Sequence, residues 1–127
     1  MKFFVIADSK EFRGLLVSLL KREFLDAKII EAVNGVEGRD KLFECSEDQL
    51  PDLVLTDFET PNLNGLELIK SVRKSRKLSL SAVKIILLTG FISDRVRAEA
   101  EKLRCCFLQK PFREEDFYRL LFNVLKS

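Results

Sequence analysis

Four side chains on four separate segments could do chemistry together: the carboxylates of Asp8 and Asp57, the hydroxyl of Thr89 and the ammonium of Lys110. Each stands at the end of a short apolar run: Phe3 to Ala7, Leu53 to Leu55, Ile85 to Leu88 and Phe107-Leu108. Two carboxylates brought close together repel, and a hard divalent cation relieves them. Mg²⁺ suits such a pair, because it takes oxygen ligands, keeps several waters and accepts one or two carboxylates plus a phosphate. Thr89 would then offer a hydrogen-bond donor, and Lys110 a compact positive charge, to the remaining oxygens of a phosphoryl group. Asp8 and Thr89 each have a plainer use, since Asp and Thr after a strand commonly cap the next helix. Asp57 does not, because it lies seven residues before Asn64-Gly65, the better helix start. Lys110 precedes Pro111, which holds it extended rather than in a solvated helical turn.

The elements that must position these groups alternate in type. Phe3 to Ala7, Leu53 to Leu55 and Ile85 to Leu88 are unbroken apolar runs, as strands buried on both faces should be. Ile29-Ile30 and Phe107-Leu108 read as two further strands. Phe12, Leu15, Leu16, Leu19, Leu20 and Phe24 recur at the spacing of one helix face. Phe117, Leu120, Leu121, Val124 and Leu125 repeat it at the C-terminus, and Leu66, Ile69 and Val72 do so more weakly. Val36 to Phe43 and Val96 to Leu103 carry the faintest helical pattern. Five strands alternating with five helices predict an α/β domain, a doubly wound parallel sheet covered on both faces. In such sheets ligands bind beyond the carboxyl ends of the strands, where the four chemical residues fall.

Composition narrows the function. The chain has 127 residues, expected to form a single domain over 1–127 with no output domain, and a formal net charge of +2. A balance that close to neutral argues against nucleic-acid binding. There are no histidines, which removes imidazole zinc sites and Ser-His or Cys-His catalysis. Three cysteines without a C-x-x-C suit a reducing compartment, and Cys105-Cys106 is expected to be buried packing. No run is long enough to span a membrane, and Asp8 interrupts the first apolar stretch, so a cytoplasmic location is expected. The basic run Lys70, Arg73, Lys74, Arg76 and Lys77 reads as a solvated cap at the C-terminal end of a helix.

Taken in order, Val5-Ile6-Ala7-Asp8, Pro51 to Asp57, Pro61 to Leu68, Leu88-Thr89-Gly90 and Gln109-Lys110-Pro111-Phe112 resemble the receiver domain of two-component response regulators. The resemblance covers essentially the whole chain. It implies a flavodoxin-like five-stranded sheet in order 2-1-3-4-5 with the pocket at the ends of the central strands. It further implies that Asp57 is the phosphoacceptor, a carboxylate nucleophile that becomes an acyl phosphate. Asp8 and Asp57, with the backbone carbonyl of Glu59, would ligate Mg²⁺. Thr89 would bond a phosphoryl oxygen, Lys110 would pair with Asp57 and then with the phosphate, and Gly90 matches a position kept small. The Lys110-Pro111 peptide would be cis. Such a protein is no conventional enzyme, although it catalyses its own aspartyl phosphorylation and dephosphorylation by positioning and charge neutralisation. The implied partners are a sensor histidine kinase or histidine phosphotransfer protein and a downstream protein target.

Two departures stand out. Ala7 replaces the first of two adjacent acids, whose loss weakens metal binding by roughly 10–100-fold. Thr60 stands where an apolar residue is usual. Glu59, at the mouth of the site, is the candidate to replace part of the lost charge. Phe107 occupies the aromatic position that moves when the threonine follows the phosphate; Thr89 with Phe107 is the expected switch. It would report to the surface of the fourth helix, fifth strand and fifth helix. The rival expectation is a degenerate receiver that binds proteins without phosphorylation. A flavodoxin-type cofactor site fails on charge, since Asp8 would repel a phosphate there.

Overall fold

In the computed structural model, which describes Met1–Ser127, the three unbroken apolar runs are the middle of one parallel sheet. β1 (Lys2–Ile6), β3 (Leu53–Asp57) and β4 (Ile85–Thr89) are central, and β3 and β4 are buried at every residue. The more mixed segments, β2 (Lys28–Ala32) and β5 (Cys106–Gln109), take the half-exposed edges. The order is β2-β1-β3-β4-β5, as expected. Ile6 pairs with Thr56, Asp57 with Leu88 and Thr89 with Gln109, so all strands end at one edge.

Alternation along the strands divides the core in two. Phe3, Val5, Leu53, Leu55, Ile86 and Leu88 face α1 (Lys10–Glu23) and the C-terminal helix, through Leu16, Leu19, Leu20, Phe117 and Leu121. Phe4, Ile6, Val54, Ile85 and Leu87 face the other side. There they meet Leu42 of α2 (Gly35–Glu44), Leu68, Ile69 and Val72 of α3 (Gly65–Arg73) and Ala100. A four-residue helix α4 (Leu78–Ser81) precedes β4, and α5 (Asp94–Lys102) carries Ala100; α6 (Glu114–Lys126) closes the chain. Both faint patterns thus form helices, α2 and α5. Periodicity does not signal α4 or the 3-10 turn at Glu47–Gln49, since neither is long enough to show a repeat. No helix is long and apolar enough to cross a membrane.

Two expectations are corrected by burial. Arg73 is not part of a solvated cap: its guanidinium donates to the carbonyls of Leu103 (2.7 Å), Val83 (2.7 Å), Ser81 (2.9 Å) and Arg104 (3.2 Å). Burial, and then the neighbouring Arg104, lowers its pKa from the ordinary arginine value. Lys77 is exposed, as the cap reading expects, and its Nζ donates to the Phe43 carbonyl at 3.1 Å. Of the adjacent cysteines only Cys105 is buried; Cys106 opens the edge strand and is exposed.

Candidate functional site

The capping alternative for Asp8 and Thr89 falls away once the helix starts are located. Ser9 caps α1, its side chain accepting the Phe12 N–H at 3.1 Å. Ser93 caps α5 through the Val96 N–H at 3.1 Å. Asn64 caps α3 in a reciprocal arrangement with Glu67, at 2.8 and 3.1 Å. Asp8 and Thr89 are left at the carboxyl edge of the sheet with no helix to cap.

Asp57 is the last residue of β3 and 5% exposed. Lys110 lies one residue beyond β5, anchored by its own N–H to the Thr89 carbonyl at 2.7 Å. From there its Nζ donates to both carboxylate oxygens of Asp57, at 3.0 and 3.1 Å. It lies 4.7 Å from the centroid of the Phe12 ring, which flanks the ammonium from α1. The Lys110-Pro111 peptide is cis. The Glu59 N–H donates to Asp57 Oδ1 at 3.3 Å. Behind the carboxylate, Gly65 lets α3 start against the backbone. A Cβ there would stand 2.7 Å from the Asp57 carbonyl oxygen and 2.7 Å from Leu87 Cδ1.

The remaining residues sit as follows. Thr89 closes β4, fully buried, but its hydroxyl is turned to its own loop: it donates to the Phe91 carbonyl at 2.7 Å and accepts the Phe91 N–H at 3.2 Å. Asp8 is exposed two residues past β1. Glu59 reaches toward Gly90, whose added Cβ would meet only Glu59 Oε1, at 4.0 Å. The Glu59 carbonyl accepts no hydrogen bond from the protein. Thr60, buried despite its hydroxyl, donates to the Leu63 carbonyl, which explains how a polar residue occupies that position. Ala7 is fully buried; its carbonyl accepts from Arg13 Nη1 at 2.9 Å, and Arg13 also pairs with Glu31 at 3.0 Å. Phe107 is half-buried, with the Arg97 guanidinium 4.9 Å over its ring.

The donor set fits a magnesium-type cation. Asp57 ends β3 and Asp8 follows the neighbouring strand β1; both are hard oxygen donors, and the Glu59 carbonyl is unspent. No trio of Asp, Glu, Cys or His side chains is arranged to hold a metal, so the carboxylates of Asp8, Asp57 and Glu59 do not converge on one point. Water would complete the shell, as Mg²⁺ prefers.

Several residues around the site had no signal of their own in the sequence. Phe12 read as one more apolar position of α1, and Phe91 and Arg97 carried no motif. A hollow of about 360 Å³, lined by Phe12, Leu15, Lys110, Pro111 and Phe112, opens beside the lysine. A larger one of about 460 Å³ lies away, between α2 and Asn62, and touches none of the four chemical residues.

Residues 3–122 match the family described as the response regulator receiver domain. The chain is 29% identical over 125 residues to a chemotaxis protein CheY homolog of Campylobacter jejuni, spanning 98% of this chain and 92% of that protein. It is 33% identical over 127 residues to the transcriptional regulatory protein CpxR homolog of Haemophilus influenzae, spanning 98% of this chain and 50% of that protein. Its fold is shared with the chemotaxis response regulator CheY4 of Vibrio cholerae, with a TM-score of 0.80 at 23% identity over 97% of each chain. A parallel sheet in order 2-1-3-4-5, with a lysine on a buried strand-end aspartate and a match over 120 residues, makes this chain a member of the response regulator receiver domain family.

Proposed function

We propose that this chain is a phosphoacceptor: Asp57 takes a phosphoryl group from the phosphohistidine of a sensor histidine kinase or histidine phosphotransfer protein. Displacements at Thr89 and Phe107 then change affinity for a downstream protein. The observation that carries the reading is the pair of contacts from Lys110 Nζ to both oxygens of a nearly buried Asp57. Receiver domains as a family bind Mg²⁺ and interact with histidine kinases and downstream targets.

A carboxylate oxygen of Asp57 attacks phosphorus, the P–N bond to the donor imidazole breaks, and an acyl phosphate forms. Lys110 orients the carboxylate before transfer, and its ammonium then faces the charge carried into the site. The Glu59 N–H fixes Oδ1, leaving Oδ2 held by the lysine alone. Asp8, Asp57 and the Glu59 carbonyl would hold Mg²⁺, which when bound neutralises charge between the carboxylates and the phosphoryl oxygens. Donor access is supported by the apolar hollow beside Lys110. Leu15 is 45% exposed there. Neighbouring Gly14 has nothing within 4 Å of a Cβ, although glycine costs a helix interior about 1 kcal/mol.

The second reading, an interaction module independent of phosphorylation, is favoured by Ala7 alone. Incubation with a small acyl phosphate and Mg²⁺ separates the two. The phosphoacceptor reading expects one adduct, labile to acid and base and missing from Asp57→Ala. An unlabelled wild type would leave the interaction module standing.

A further inference from the structure

α5 is held more loosely than the other long helices. It buries one residue, Ala100, whereas α1 and α6 bury three each and α3 buries five. Its ion pairs are long, with Lys70 and Arg95 each 3.7 Å from Glu99. An element with so few buried contacts is the one free to move at small cost. Two contacts fasten it next to the site. At its entrance, Thr89 clasps both backbone groups of Phe91, a residue that is itself 72% exposed and contributes little anchorage. One turn into the helix, Arg97 lays its guanidinium over Phe107.

Resting on the phosphoacceptor reading, we infer that Arg97 is a positioning residue that holds Phe107 in its half-buried place, and that the Thr89–Phe91 clasp holds Arg97 there. The clasp is linked to the site by simple valence. A threonine hydroxyl has one proton, and here it is donated to the Phe91 carbonyl. If that proton turns to a phosphoryl oxygen on Asp57, the Phe91 carbonyl loses its donor and the entrance of α5 is released. The guanidinium then leaves the ring, and Phe107 follows into the space the hydroxyl gave up. A contact of this kind at an exposed position biases an equilibrium rather than locking it. Its loss corresponds to roughly a two- to five-fold change in the ratio of switched to resting molecules.

The test uses the full chain without phosphate, comparing wild type, Arg97→Met, Arg97→Lys and Thr89→Val. Methionine keeps an unbranched stem but no charge, and lysine restores a cation. The readouts are the aromatic NMR resonances of Phe107 and amide hydrogen exchange over residues 90–93. Wild type with Mg²⁺ and beryllofluoride, a phosphoryl mimic, marks the switched position. Arg97→Met is expected to move the Phe107 resonances toward that position by a two- to five-fold rise in switched population, with Arg97→Lys closer to wild type. Thr89→Val is expected to speed exchange of the Phe91 amide several-fold. Resting Phe107 resonances that coincide in Arg97→Met and wild type, while wild type still answers beryllofluoride, would overturn the clamp and leave the phosphoacceptor reading intact. A wild type silent to beryllofluoride would overturn that reading, and the trigger with it.

Discussion

Asp57 sits with a lysine on both oxygens and a backbone N–H on one, while a second acid that such a site ordinarily has is replaced by Ala7. Its charge cannot be restored at that position by rotation of a neighbour, because Ala7 is buried with its carbonyl taken by Arg13. Glu59 carries a carboxylate that reaches toward Gly90. The three carboxylates of Asp8, Asp57 and Glu59 do not gather into one cluster, so the effect expected of Glu59 on a cation is through space rather than by ligation. Across a water-filled mouth, a unit charge and a divalent ion not in contact interact by on the order of 1 kcal/mol. Glu59→Gln is therefore expected to weaken Mg²⁺ binding roughly two- to five-fold in a calorimetric titration. Equal affinities would remove Glu59 from the site's electrostatics.

The connections between elements depend on Arg73 more than on any cap. One guanidinium, projecting from the last turn of α3, satisfies carbonyls before β4 and at the end of α5, tying three segments that share no ladder. Helix ends leave carbonyls without intrahelical partners, and a planar five-donor group can serve several at once. Arg73→Met keeps most of the stem packing but strands those acceptors. The expected loss is about 2–4 kcal/mol in urea unfolding, with Arg73→Lys recovering only part, since an ammonium cannot fork. A change under about 0.5 kcal/mol would return Arg73 to the solvated group that its basic neighbours suggested.

Across the whole molecule the sheet separates two apolar clusters, and Cys105 belongs to the one packed by α2, α3 and α5. Burial pushes its thiol up to about 11 from an ordinary 9.0. An acid whose folded pKa lies above its unfolded value favours the native state while protonated. That contribution is intact below pH 9.0 and lost as pH climbs through about 11. The loss is on the order of 2 kcal/mol at the alkaline end. Urea midpoints of wild type should therefore fall more steeply over that range than those of Cys105→Ala. Parallel curves would show that the thiol is not the group responsible.

Much of this architecture was legible in order of residues alone, for a physical reason. Apolar runs and 3.6-residue periodicity are local consequences of which face of an element must leave water, so strands β1, β3 and β4, and helices α1 and α6, announce themselves. The same logic marked β1, β3 and β4 as strands buried on both faces, and they are the central ones. Strand ends in a parallel sheet share one edge, which by itself places Asp57 and Lys110 on the same side of the molecule. What pattern cannot carry is the destination of a long or rotatable polar head. The Thr89 hydroxyl turning onto Phe91, Arg73 threading among four carbonyls, Arg97 settling over Phe107 and Cys106 facing solvent beside buried Cys105 are decided by groups left unpaired on other segments. Those partners lie close only after the sheet has closed. Tertiary structure therefore decided the resting arrangement of the site, while the sequence by itself determined which residues it is made of.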